Sequence, residues 1–218
     1  MNVKACLFDL DGVLVDTARF HYLAWRLLAD RFGFEFTETD NERLKGVSRM
    51  DSLDILLEIG NITLSDKDKL MVADEKNQLY LKYIRNMTGD DVLPGVRTFL
   101  TEVRQAGIRV ALGSVSRNAG EILNRTGLTA MFDAIVDGNM ITHAKPHPEV
   151  FETGARMLDI PAADCIVFED AVAGIQAAHH ACMKCVGVGS PEILAEADLI
   201  IPGFQNLTWK GVVSNLND

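Results

Sequence analysis

The sequence has little positive charge to set against its acids: 21 Lys and Arg face 31 Asp and Glu, a formal net charge of -10 over 218 residues. A protein that tracks a polyanion needs clustered cations to neutralise phosphates, so nucleic acid is disfavoured as a partner, and a bound phosphate must be met by a few local cations. Long apolar runs are missing as well. None approaches the roughly 20 residues of a membrane span, and the stretch from Val3 to Phe8 is too short for a secretory signal and ends directly in Asp9. Cysteine is sparse. Cys6 and Cys165 sit in strand-like apolar runs, with Cys182 and Cys185 further on, a distribution expected of a reduced, cytoplasmic protein. There is no internal repeat and no low-complexity segment, and the length suits one well-buried core, alone or with a small second domain.

What is present is alternation. Apolar runs of strand length recur at Val3–Phe8, Ile108–Leu112, Ala134–Val136, Cys165–Phe168, Lys184–Val188 and Leu199–Ile201. Segments of helical period lie between most of them, at Val96–Gln105, Ala119–Thr126, Glu149–Leu158 and Ala171–Ala181. Strand and helix in turn imply a parallel sheet covered on both faces, a doubly wound, Rossmann-like α/β core. One stretch breaks the pattern. Asp16 to Met87 offers only helical material, Thr17–Phe32 ending at Gly33, Arg49–Glu58 ending at Gly60, and Asp66–Asn86. The expected organisation is a core of residues 1–15 and 90–218 with an all-α cap of residues 16–89 inserted after the first strand. Such a cap lies over the carboxyl edge, where open α/β sheets bind ligands, and serves as a lid.

Asp9 and Asp11 close the first apolar run, in "LFDLDGVLVDT". In extended chain, residues two apart face the same way, and two carboxylates on one site repel unless a cation or hydrogen bonds relieve them. Mg²⁺ suits such a pair, because it takes oxygen ligands and usually binds one or two carboxylates together with water and substrate phosphate. "CIVFEDAVAGI" supplies Glu169 and Asp170 after another strand, and two acidic strand ends in one parallel sheet can converge on one ion. Read singly, Asp9 ends a strand and Asp170 caps a helix.

Taken together these segments resemble the haloacid dehalogenase superfamily of aspartyl-phosphate phosphotransferases. "FDLDGVLVDT" is similar to its first motif, "ALGSVS" at Ser114 to its second, "AKPHP" at Lys145 to its third, and "FEDAVAGI" at Glu169 and Asp170 to its acidic fourth, in the family's order and across the whole core. The resemblance implies that Asp9 is the nucleophile and Asp11 the general acid/base, with Ser114 and Lys145 completing the catalytic set. It also implies a Mg²⁺ site of Asp9, Asp11, Glu169 and Asp170. Asp11 fits the phosphate-handling branch better than the dehalogenating one, since halide displacement needs no such acid.

The position of the helical insertion resembles the capped subgroup, which holds both mutases and sugar-phosphate phosphatases. "LKGVSR", with His21, Trp25 and Lys76, is similar to the cap of the β-phosphoglucomutase family, and "SVSRN" to that family's second phosphate contact. The substrate-binding set implied is Thr17, His21, Trp25, Leu44, Lys45, Gly46, Val47, Ser48, Arg49, Ser52, Lys76, Val115, Ser116, Arg117 and Asn118. A mutase must hold a sugar bisphosphate in two orientations and so needs a distal phosphate site. Arg49 offers a guanidinium fork for it, with Ser116, Arg117 and Asn118 beside it. Val115 and Arg117 replace the smaller Ala and the Lys frequent in those mutases, leaving a backbone N–H and a positive charge in place.

The expected activity is interconversion of β-glucose 1-phosphate and β-glucose 6-phosphate through an aspartyl-phosphate enzyme, with glucose 1,6-bisphosphate as intermediate and activator. A sugar-phosphate phosphatase is the alternative, and a non-catalytic sugar-phosphate or Mg²⁺ binding module a remote one. The partner expected is a small sugar phosphate, with no nucleic acid and no membrane, and the protein is expected to be a monomer. Trp25 and Leu44 also read as cap core, His21 as a packing residue, and Lys45, Arg49 and Lys76 as solvated helix ends. Cys182 and Cys185, with His179 and His180 nearby, could suggest metal or redox chemistry. No second CxxC accompanies them, and Cys185 lies in an apolar strand, where free cysteine acts as a small hydrophobe.

Overall fold

The computed structural model describes residues 2–217. The sheet has six parallel strands in the order β3-β2-β1-β4-β5-β6. They are β1 (Ala5–Phe8), β2 (Arg109–Gly113), β3 (Ala134–Val136), β4 (Cys165–Glu169), β5 (Lys184–Val188) and β6 (Leu199–Ile201). The strand order reverses beside β1, which lies between β2 and β4, and the crevice at such a switch point is where these folds bind ligands. Register aligns Phe8 with both Leu112 and Phe168, so Asp9 and Glu169 emerge side by side at that crevice.

Both faces of the sheet are buried, as its continuous apolar strands require. Cys6 and Phe8 point to one face, where Phe99, Leu100, Ile122 and Leu123 pack from α5 (Val96–Gln105) and α6 (Ala119–Thr126). Ala5 and Leu7 point to the other, against Val150 and Phe151 of α7 (Glu149–Leu158) and Ile175 and Ala178 of α8 (Val172–His180). Phe8 and Phe168 stack at 4.6 Å, a rigid floor directly under Asp9 and Glu169.

The insertion is helical throughout: α1 (Ala18–Phe32), α2 (Glu38–Glu42), α3 (Arg49–Ile59) and α4 (Asp66–Ile84). Each start but the first has a built N-cap. Thr37 forms a capping box with Asp40, and the Ser48 and Ser65 hydroxyls accept the N–H groups of Asp51 and Asp68, each at 3.2 Å. Trp25, Leu28, Phe36, Leu53, Leu56 and Val72 form a separate apolar cluster within these helices. The two crossings between insertion and sheet run together: Leu93 donates to the Leu14 carbonyl at 3.0 Å, and Asp16 to that of Asp91 at 3.1 Å. The far end of α4 departs from a self-contained cap, because Tyr80 and Ile84 join the core cluster beneath β1. The short α2 and the terminal α9 (Trp209–Asn217) add to the helices expected from periodicity. No described helix is long and apolar enough to cross a membrane.

Candidate active site

Asp9 and Asp11 do not face the same way. β1 ends at Phe8, and Gly12, at a φ of +82°, turns the chain in the left-handed region. A Cβ on Gly12 would lie 2.3 Å from Oδ2 of Asp170, so only glycine lets this loop close on the fourth motif. Asp9 is left pointing into the sheet crevice and Asp11 towards the cap.

In the crevice, the Lys145 ammonium donates to Oδ1 of Asp9 at 2.5 Å and to Oε1 of Glu169 at 2.6 Å. Glu169 is fixed further by the Ala171 N–H at 2.9 Å, and its neighbour across the turn must be Gly174, where a Cβ would lie 1.9 Å from Oε1. Burial works to lower the Lys145 pKa, but the charges of Asp9 and Glu169 outweigh it and hold the lysine firmly protonated. Burial, with Glu169 and Asp11 nearby, lifts Asp9 to about 7 despite Lys145. Asp170 is pushed up for the same reasons, burial first and then Glu169 and Asp9, with Lys45 of the cap only 3.7 Å away in opposition.

This acid excess fits a hard divalent cation. Oxygens of Asp9, Glu169 and Asp170 lie within 4.8 Å of one another, the donor set is entirely oxygen, and the raised carboxylate pKa values mark negative charge that one buried lysine does not balance. The expected fourth ligand, the Asp11 carboxylate, is placed elsewhere. It accepts from the Thr17 hydroxyl and from the Tyr80 hydroxyl, the latter at 3.3 Å, and lies outside that cluster because the strand's alternation stops at Phe8. Burial would raise its pKa, but His21, Thr17 and the Lys76 charge prevail and lower it, so Asp11 is ionised.

Above these residues lies a cavity of ≈ 420 Å³ between sheet and cap. Of the expected substrate-binding residues all but Thr17 line it, and Asp9, Asp11 and Asp170 line its base. Thr17, Ser114, Lys145 and Glu169 stand behind that surface, fully or almost fully buried. Ser114 directly follows β2, and its hydroxyl accepts the Ser116 N–H at 3.1 Å, which shapes the loop running on to Asn118.

The upper part of the cavity is cationic. Lys76, buried, has its ammonium 2.7 Å from Nδ1 of His21 and over the rings of Trp25 and Tyr80 at 4.7 and 4.8 Å. Burial lowers its pKa to about 7, and Arg49 adds to the effect against the pull of Asp11. Nε2 of His21 is buried without a hydrogen-bond partner, 3.7 Å from Asp11. Arg49 on the cap and Arg117 on the core both line the cavity, and after burial the Arg117 charge is the main cause lowering the Arg49 pKa. Among the described residues none of Lys76, Arg49 and Arg117 is within ion-pair distance of a carboxylate.

Tyr80, Asn77 and Asp74 line the same cavity and were not expected from the sequence. Tyr80 follows Lys76 by four residues on α4 and Asn77 follows Asp74 by three, and that helical spacing is the available signal. Asn77 accepts from the Asn118 amide at 3.1 Å and ties cap to core. The cysteine group brings nothing comparable together. His179 meets Asp198 at 3.1 Å and His180 the Pro146 carbonyl at 3.0 Å, Cys182 is exposed, and Cys185 is buried in β5.

Fold and site together define a capped α/β phosphotransferase with an acidic crevice and a cationic roof. The model of the haloacid dehalogenase-like hydrolase family matches residues 3–181, and the chain belongs to that family. Magnesium dependence is general in it. The chain is 42% identical to a β-phosphoglucomutase of Bacillus subtilis over 210 residues, 94% of this chain and 92% of that one. A β-phosphoglucomutase of Clostridium difficile superposes with a TM-score of 0.93 at 41% identity, covering 99% of this chain and 97% of that one. A phosphorylated carbohydrates phosphatase of Thermotoga maritima is 33% identical over 182 residues, 82% of each chain.

Proposed function

We propose that this protein is a β-phosphoglucomutase that interconverts β-glucose 1-phosphate and β-glucose 6-phosphate through phospho-Asp9 and glucose 1,6-bisphosphate. The observation behind this reading is that Arg49 of the cap and Arg117 of the core line one cavity with no carboxylate within ion-pair distance of either among the described residues, burial and then the Arg117 charge lowering the Arg49 pKa against the weaker pull of Asp74. Two like charges converge in this way where a dianion is to lie between them. A phosphatase acting on a monophosphate has no use for a second phosphate site.

In this reading the free enzyme begins phosphorylated on Asp9. Ionised Asp11 takes the proton from the sugar 6-hydroxyl, whose oxygen attacks phosphorus as the bond to the Asp9 carboxylate breaks. The bisphosphate reorients, exchanging its two phosphates between Asp9 and the Arg49–Arg117 site. Asp9 then attacks the 1-phosphate, and Asp11 returns the proton to the departing O1, giving glucose 6-phosphate and phospho-Asp9. Lys145 and Ser114 stabilise charge on the transferring phosphoryl oxygens, and Lys76 with His21 orients the sugar. Asp9, Glu169 and Asp170 would hold Mg²⁺, which supplies further positive charge for those oxygens. The cap over the cavity excludes water, the competing acceptor for phospho-Asp9.

The same reading divides the chain into a core of residues 1–15 and 90–218 and a cap of residues 16–89, with residues 1 and 218 outside the described part. It takes the protein as a cytoplasmic monomer acting on a free sugar phosphate, with glucose 1,6-bisphosphate as activator. The phosphatase reading has its own support in the Thermotoga relative. Phosphorus NMR separates the two. With β-glucose 1-phosphate, Mg²⁺ and a trace of glucose 1,6-bisphosphate, the mutase converts the substrate resonance to that of glucose 6-phosphate. Stoichiometric release of inorganic phosphate would establish a phosphatase, and an unchanged spectrum a binding module.

A further inference from the structure

The loop that delivers Lys145 also gathers donors of a different kind on its outer side. Ligand atoms of His143, His147 and Glu149 lie within 4.8 Å of one another, the two histidines exposed and the glutamate half-buried. The glutamate is fixed before any ion arrives, because its two carboxylate oxygens accept the Thr142 N–H at 3.0 Å and the His143 N–H at 2.7 Å. Nδ1 of His143 is 3.0 Å from Oε2 of the same carboxylate. The Glu149 N–H donates to Nδ1 of His147 at 3.2 Å, and the two imidazole rings stack with centroids 4.5 Å apart.

A tetrahedral zinc ion with bonds of about 2.0–2.1 Å to such donors spans ligand pairs about 3.3 Å apart. The His143–Glu149 pair stands near that separation already. His147, on the surface, offers a ligand atom within 4.8 Å of both. Two imidazoles and one carboxylate suit a borderline cation and disfavour Mg²⁺, which seeks oxygen and octahedral geometry. Three protein ligands leave a fourth position for water.

We propose that His143, His147 and Glu149 form a zinc-class metal site on the outer side of the Lys145 loop, separate in position and in ligand chemistry from the acidic crevice. The ion would join residues 143 and 149 across the turn that holds Lys145 against Asp9, and so stiffen it. This inference does not depend on which sugar phosphate the enzyme uses.

The test is a calorimetric titration of the purified chain with zinc chloride in buffer saturating in Mg²⁺, which keeps the acidic crevice filled. One equivalent should bind with micromolar affinity, and His143→Ala and His147→Ala should each weaken it by roughly tenfold or more. His179→Ala and Cys182→Ser should bind zinc as the wild type does. Amide exchange within residues 142–149 should slow when zinc is added to the wild type and stay unchanged in the double variant that combines His143→Ala with His147→Ala. Full affinity in the double variant, loss of binding in Cys182→Ser, or no binding below millimolar zinc would each overturn the site.

Discussion

At the base of the cavity Asp9, Glu169 and Asp170 crowd around one buried lysine, while at its roof Lys76, Arg49 and Arg117 stand with no carboxylate in ion-pair reach among the described residues. The base has acid in excess and the roof has base in excess, within a single cavity of ≈ 420 Å³. Neither end is arranged for its own stability, since buried charge without a partner is costly. Each end instead matches what it is to hold, a divalent cation below and a phosphate dianion above, and a sugar bisphosphate spans both.

The largest effect belongs to the base. Asp9→Asn removes the nucleophile and one metal carboxylate while keeping the shape that Lys145 grips, and isomerisation should fall by roughly 10⁴- to 10⁶-fold, as expected for loss of a covalent nucleophile. A coupled assay for glucose 6-phosphate reads this directly, and retention of more than a hundredth of the activity would remove Asp9 from that role. Asp11→Asn comes next. Bisphosphate should still bind by calorimetry, while rapid-quench transfer to and from Asp9 slows by about 10²- to 10⁴-fold, the range for a general acid/base. Transfer at the wild-type rate would leave Asp11 as a loop anchor for Thr17 and Tyr80 only.

The roof should respond differently, and that difference tests the comparison itself. Arg49→Ala takes away one charge-assisted contact, about 1.5–3 kcal/mol, or roughly 10- to 100-fold in isomerisation, while hydrolysis of a simple monophosphate should change little. Equal losses in both activities would mean that base and roof do not hold separate phosphates.

The base was the more legible end because its residues stand on strand termini. Asp9, Ser114 and Glu169 each follow or end an apolar run, and a parallel sheet brings such termini to one edge whatever the loops do. Alternation carries no further than that edge: it predicts that Asp11 faces the same way as Asp9, but strand geometry ends at Phe8, and Gly12 sends the next carboxylate to the cap. The roof was less legible for a related reason. Asn77 and Tyr80 belong to a helix whose polar side is buried only once the cap lies over the core, and that closure leaves no mark in the period of α4, so that Lys76 on the same helix is legible only through the family resemblance. The short α2 is likewise below the length at which periodicity speaks, although Thr37 and Asp40 spell its capping box.

The smallest and most specific prediction concerns Lys76 and pH. Its folded pKa, brought down to about 7 by burial and by Arg49, lies well below its ordinary value of 10.5. Below about pH 7 both the folded and the unfolded chain hold the proton, and the folded chain bears the full cost of a buried ammonium. Between about 7 and 10.5 the unfolded chain keeps a proton that the folded chain has released, so this residue's penalty shrinks as pH rises. Lys76→Met keeps the apolar stem between Trp25 and Tyr80 and deletes the charge. In ligand-free protein its stability advantage over wild type should therefore be greatest and constant below pH 7, then decline steadily towards pH 10. Urea midpoints across that range measure it. Parallel curves for the two proteins would show that Lys76 is paired in solution, and the roof would then lose the uncompensated charge that distinguishes it from the base.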